Sequence, residues 1–69
     1  MLMVGDLLEG FCNGYFGRDF YGLKRVEAVG ADWVVVRDEE DHLLGFASGP
    51  TINQDLWVYC LRNEKSESE

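Results

Sequence analysis

Read for where apolar and polar positions fall, the chain divides into short segments separated by glycine and acidic turns. Residues 2–9 are apolar and interrupted by Gly5-Asp6, which predicts a first strand with a turn or bulge in it, a short helix being the alternative. Residues 10–22 follow neither a helical nor a strand period. Gly10, Gly14, Gly17 and Gly22 are interleaved with Phe11, Tyr15, Phe16, Phe20 and Tyr21. Glycine at that density disfavours helix and strand interiors, so this stretch predicts a long, structured loop.

The clearest strand pattern comes next. Leu23 to Val29 places Val26 and Ala28 on one face and Arg25 and Glu27 on the other, with Val29 free to change sides. Gly30-Ala31-Asp32 is a turn. Trp33 to Val36 is apolar on both faces and rich in β-branched residues, the mark of a central strand. Asp38 to Asp41 is an acidic turn, and His42 to Ser48 is a third strand with Leu44 and Phe46 on one face. The three strands together predict an antiparallel meander. Gly49-Pro50 ends it, and residues 51–55 read as a connector or a single turn of 3₁₀ helix. Leu56 to Leu61, apolar at every position, reads as a last strand. Residues 63–69 form a polar, acidic tail expected to be disordered.

Five strands with two of them apolar on both faces cannot lie in one flat sheet with a wet side. A small barrel, a two-layer sandwich or a dimer each removes that conflict. The predicted fold is therefore all-β, a single domain over residues 1–62 with five antiparallel strands and a long glycine and aromatic loop after the first. The order of parts resembles a Src-homology-3-like, partly open barrel. Val4-Gly5-Asp6-Leu7 matches its opening strand, residues 10–22 its long loop, residues 23–48 its meander, and Pro50 with residues 56–61 its turn and closing strand. Peptide-binding members of that family carry an Ala-Leu-Tyr-Asp-Tyr opening and a Trp-Trp pair. This chain has neither, so the resemblance does not imply recognition of proline-rich peptides. Residues 14–19 and 24–30 also resemble segments of short proteins from phages of actinobacteria, which implies a protein directed at a host protein.

Size and charge narrow the function. A core within 69 residues rarely supplies more than about 3–5 kcal/mol without further support. A composition 46% hydrophobic with nine aromatic residues is nonetheless that of a folded chain. The net charge of −7 repels phosphate backbones and suits a basic protein partner. No basic region followed by an apolar run opens the chain, and no apolar run reaches membrane-spanning length, so a cytoplasmic location is expected and no membrane partner. Cys12 and Cys60 lack a metal-ligand spacing and read as free thiols, the alternative being a disulfide that staples the chain ends.

Catalytic signals are weak. His42 is the one histidine and reads as a solvated residue at a hairpin end. The acidic turn lacks the alternating ligands and central glycine of a calcium loop. Cys12 has His42 as its one candidate base. The glycine-rich loop lacks the Lys-Ser ending and following helix of a phosphate loop. No catalytic residue, cofactor or metal is assigned, and the chain is read as a binding module and not an enzyme. The candidate partner-binding residues are Tyr15, Arg18 and Tyr21 in the loop, and Trp57 and Tyr59 on one face of the last strand. Phe11, Phe16 and Phe20 are assigned to the core. Two alternatives are a single-strand nucleic-acid face built from Tyr15, Arg18, Tyr21, Lys24, Arg25 and Arg37, and a structural homo-oligomer.

Overall fold

A computed structural model describes residues 1–62, and the predicted tail over 63–69 lies outside them. Five antiparallel strands form one open sheet: β1 (Leu7–Leu8), β2 (Lys24–Val29), β3 (Trp33–Asp38), β4 (Leu44–Ser48) and β5 (Leu61–Arg62). Their order across the sheet is β4-β3-β2-β1-β5, so the first and last strands are neighbours and β4 and β5 are the two edges. One helix, α1 (Ile52–Tyr59), joins β4 to β5.

The predicted meander is present, with register Val36 opposite Val26 on one side and Gly45 on the other. Its first hairpin turns where Gly30 must be glycine for packing. A Cβ built there would lie 2.0 Å from the Trp33 indole nitrogen, so the ring occupies the space a side chain would need. The second turn is held by Asp38, whose carboxylate accepts the backbone N–H groups of Asp41 and Glu40 at 2.7 Å each. Those bonds hold its carboxyl below the usual carboxylate range.

Three sequence expectations change. The first strand shrinks to Leu7–Leu8, because residues 3–6 close into a turn in which Gly5 takes a positive φ of 97° and the Asp6 carboxylate accepts the Met3 N–H. In β2 the register slips between Val26 and Ala28. This bulge puts Ala28 opposite Val35 and Val29 opposite Val34, so Val26 and Ala28 lie on opposite faces.

The third change is the largest. Leu56 to Tyr59 is helix and not strand; only Leu61 of the predicted last strand pairs in the sheet, joined by Arg62. The buried positions are Ile52, Asn53, Leu56 and Cys60, a stripe with helical spacing, while Trp57, Val58 and Tyr59 face water. An apolar run bounded by turns fits either period, and here tertiary packing overrode the β-propensity of Trp, Val and Tyr. The side chain of Asn53 fixes the helix to the first hairpin, donating to the carbonyls of Gly30 at 2.8 Å and Ala31 at 3.1 Å.

The core lies on one side of the sheet. Leu8, Val26, Val34, Val36 and Ala47 line it, with Leu2, Phe16, Ile52, Leu56 and the two cysteines packed on top. The long loop covers one part of this face and α1 another. Phe20 rests over Gly45, where an added Cβ would sit 3.1 Å from the ring. Leu56→Ala is expected to destabilise the domain by about 2–5 kcal/mol, and Tyr59→Ala by no more than about 0.5 kcal/mol. Urea unfolding of the two variants checks this; equal losses would contradict the helical stripe.

Candidate functional site

The loop between β1 and β2 owes its shape to Lys24, the first residue of β2. Its side chain points inward and is fully buried. The ammonium has three protons to place, and a buried charge left unpaired is costly. Two protons go to the carbonyls of Gly10 and Gly22, each at 2.7 Å. The third contact is the Sγ of Cys12 at 4.0 Å, and the Phe16 ring lies 6.0 Å away by its centroid. Gly10 and Gly22 are the two ends of the aromatic loop, so one side chain closes it. Lys24 was a candidate for a nucleic-acid face. Its burial removes it from any surface.

Inside this closure the chain makes a 3₁₀ turn over Cys12–Gly14, with Cys12 and Asn13 both in the left-handed region. Phe16 is buried and Phe20 half-buried against the core, as expected for both. Phe11 was assigned to the core and is instead exposed. It stacks on Tyr21 with ring centroids 5.1 Å apart and planes 18° apart, so the two rings form one surface platform. Arg18 is exposed.

Tyr15 reaches the helix. Its hydroxyl donates to the Asp55 carboxylate, which also accepts from the Thr51 hydroxyl at 3.2 Å. Bonding to Asp55, with desolvation and the Asp55 charge adding to it, holds the phenol above its ordinary value of 10.0. Tyr15 is thus a strut between loop and helix, and half-buried.

Trp57 and Tyr59 are exposed on α1. Trp57 borders an open cleft of about 320 Å³ together with Met1, Ala31, Pro50 and Gln54. The five proposed binding residues therefore do not form one site. Tyr21 belongs to the loop platform, Arg18 is exposed elsewhere on the loop, Trp57 and Tyr59 lie on the helix, and Tyr15 lies in the seam between loop and helix.

Cys12 and Cys60 are both free and buried. Burial and a hydrogen bond with Cys12 push the Cys60 thiol up to about 12. His42 sits exposed at the second hairpin with a φ of 61°, where its carbonyl accepts from Arg37 at 2.7 Å. Among the described residues no group of three His, Cys, Asp or Glu side chains is placed to hold a metal ion, and no helix is long and apolar enough to cross a membrane.

The surface that residue types alone did not single out is the outer face of the meander. Leu44 and Phe46 share a face, as their spacing predicted, and it is the solvent face: they are 57% and 61% exposed. Across from them on β3 lie Arg37 and Val35, and beyond Val35 lies Ala28 on β2. Trp33, opposite Ser48, flanks this row. The two arginines on this face are occupied. Arg37 pairs with Glu27, and Arg25 with Glu39 at 3.0 Å. The signal in the sequence was the alternation of small and large residues in Leu44-Gly45-Phe46-Ala47. The small ones point inward because Phe20 and the core side chains fill the space beneath them.

No protein-family model, curated protein or solved structure matches this chain.

Two outcomes follow from the loop. Lys24→Met leaves two carbonyls without their donor and is expected to cost about 1–3 kcal/mol. Amide exchange within residues 10–22 should accelerate by about tenfold or more relative to β2–β4. Uniform acceleration along the chain would contradict the closing role. For Tyr15, a phenol pKa raised by folding contributes stability that is present below pH 10 and lost as the pH rises through the folded value. Thermal unfolding of the parent chain should weaken along this alkaline limb, and Tyr15→Phe should flatten it.

Proposed function

We propose that this chain is a small, non-catalytic protein-binding module that engages a basic partner, such as a host protein, through the outer face of its meander. The observation that carries the reading is the row of Leu44 and Phe46 beside Val35 and Trp33, large apolar side chains left in water on a domain with a thin core. A domain of this size gains from burying such residues, so their exposure on one contiguous face marks an interaction surface. The loop platform of Phe11 and Tyr21 and the helix residues Trp57 and Tyr59 offer further aromatic contact area.

The order of parts supports a Src-homology-3-like arrangement: an opening strand, a long loop, a meander, a helical connector and a closing strand beside the first. The nucleic-acid alternative has less to rest on. Of the cations of that face, Lys24 is buried and Arg25 and Arg37 pair with Glu39 and Glu27, on a chain of net charge −7.

Affinity capture on the tagged chain from native-host lysate, with and without nuclease, tests the function. The same dominant protein should be recovered in both conditions and be lost with the double variant Leu44→Ser, Phe46→Ser. Both substitutions are at solvent-facing positions, so the melting temperature should stay within a few degrees, roughly, of the parent. Recovery that disappears with nuclease, or that ignores the double variant, would overturn the reading.

A further inference from the structure

We propose that β4 is a strand-pairing edge, and that its occupant is an extended segment of a partner protein with apolar side chains at alternate positions and Lys or Arg at its ends. This rests on the protein-binding reading and names the surface and the partner's chemistry.

The backbone sets the geometry. Asp38 donates to the Leu43 carbonyl and Gly49 to the Asp32 carbonyl, both at 2.8 Å. With the observed register, these bonds fix the parity of the β3–β4 ladder. Gly45 and Ala47 exchange bonds with β3, while the N–H and C=O groups of Leu44, Phe46 and Ser48 point away from the sheet. These are the residues whose side chains lie on the exposed face. An added strand would thus find both hydrogen-bonding groups and the apolar row of Phe46 and Val35 from the same approach. Exposed edges are ordinarily guarded by charge, proline or a bulge. Leu44-Gly45-Phe46-Ala47-Ser48 has no charge and no proline, and its register with β3 is unbroken.

Charge selects the occupant. Glu40 and Asp41 stand exposed at one end of β4, and Asp32 stands at the other, beside Gly49. The arginines of this face are engaged with Glu27 and Glu39, so the ends of the edge are negative. A second copy of the chain fits poorly. Two-fold pairing about Phe46 would bring the acidic turn of one copy against Asp32 of the other, with −7 on each chain. A segment with basic ends meets complementary charge at both places.

The test selects a displayed library of random decapeptides on the folded protein. The expected winners alternate apolar residues between Lys or Arg ends. A synthetic representative should slow amide exchange at Leu44, Phe46 and Ser48 by about tenfold or more. Replacing its basic ends with Glu should weaken binding by about tenfold or more. Phe46→Pro, which removes an outward N–H and keeps the β3 bonds, should abolish binding, with Phe46→Lys as the substitute if the proline variant does not fold. Val58→Ala, at an exposed helix position away from the edge, should bind as the parent does. Winners that perturb Trp57 or Tyr21 and leave the β4 amides unchanged would overturn the edge and leave the protein-binding reading standing. Failure to enrich any peptide, together with capture of no protein from lysate, would overturn both. A dimer in sedimentation that protects the same three amides would replace the basic segment with a second copy and overturn the proposal.

Discussion

The ammonium of Lys24 is the constraint on which the arrangement of this domain depends. A chain this short has few residues to spend on a core, and a thirteen-residue glycine-rich loop would ordinarily add entropy and little packing. By taking the carbonyls of Gly10 and Gly22, Lys24 brings the loop's ends together at the start of β2. Phe16 and Phe20 are then delivered onto the sheet. The loop becomes a layer of the core, and the helix with its C-cap supplies the rest of that layer through Ile52, Leu56 and Cys60.

That division of space accounts for the exposed face. With Phe20 over Gly45 and the core side chains around Ala47, the inward positions of β4 have room only for small residues. The large residues of the strand must point outward. Phe46 and Leu44 are exposed because the inside is already filled, and the ion pairs of Arg37 with Glu27 and Arg25 with Glu39 border them without covering them. Structure and proposed function meet here: the same packing that stabilises a thin core leaves an apolar row in water.

Much of this was legible beforehand, and the failures have physical causes. The meander was readable because its strands alternate and its turns carry Gly30 and the Asp38–Asp41 run. The loop was readable from glycine density. The helix was not, because Leu56 to Leu61 is apolar at every position and so carries no period of its own. Its stripe shows only when residues 52 and 53 are counted with 56 and 60. The role of Lys24 was hidden for another reason. The alternation puts Lys24 on the Val26 face, but a lysine is rarely buried there, and only the fold of the preceding loop supplies the two carbonyls that permit it. Tyr15 and Phe11 exchanged places for a similar reason: the helix supplied Asp55 as a partner, and Tyr21 supplied a ring to stack on.

The most direct measurement of this account is the nitrogen-15 NMR spectrum of the lysine side chains. A solvated ammonium exchanges its protons too fast to be seen at neutral pH. The Lys24 ammonium should give a resolved, slowly exchanging signal with through-bond coupling to the Gly10 and Gly22 carbonyl carbons. Absence of that signal in the folded protein, with Lys24 exchanging like a free lysine, would contradict the account at its centre.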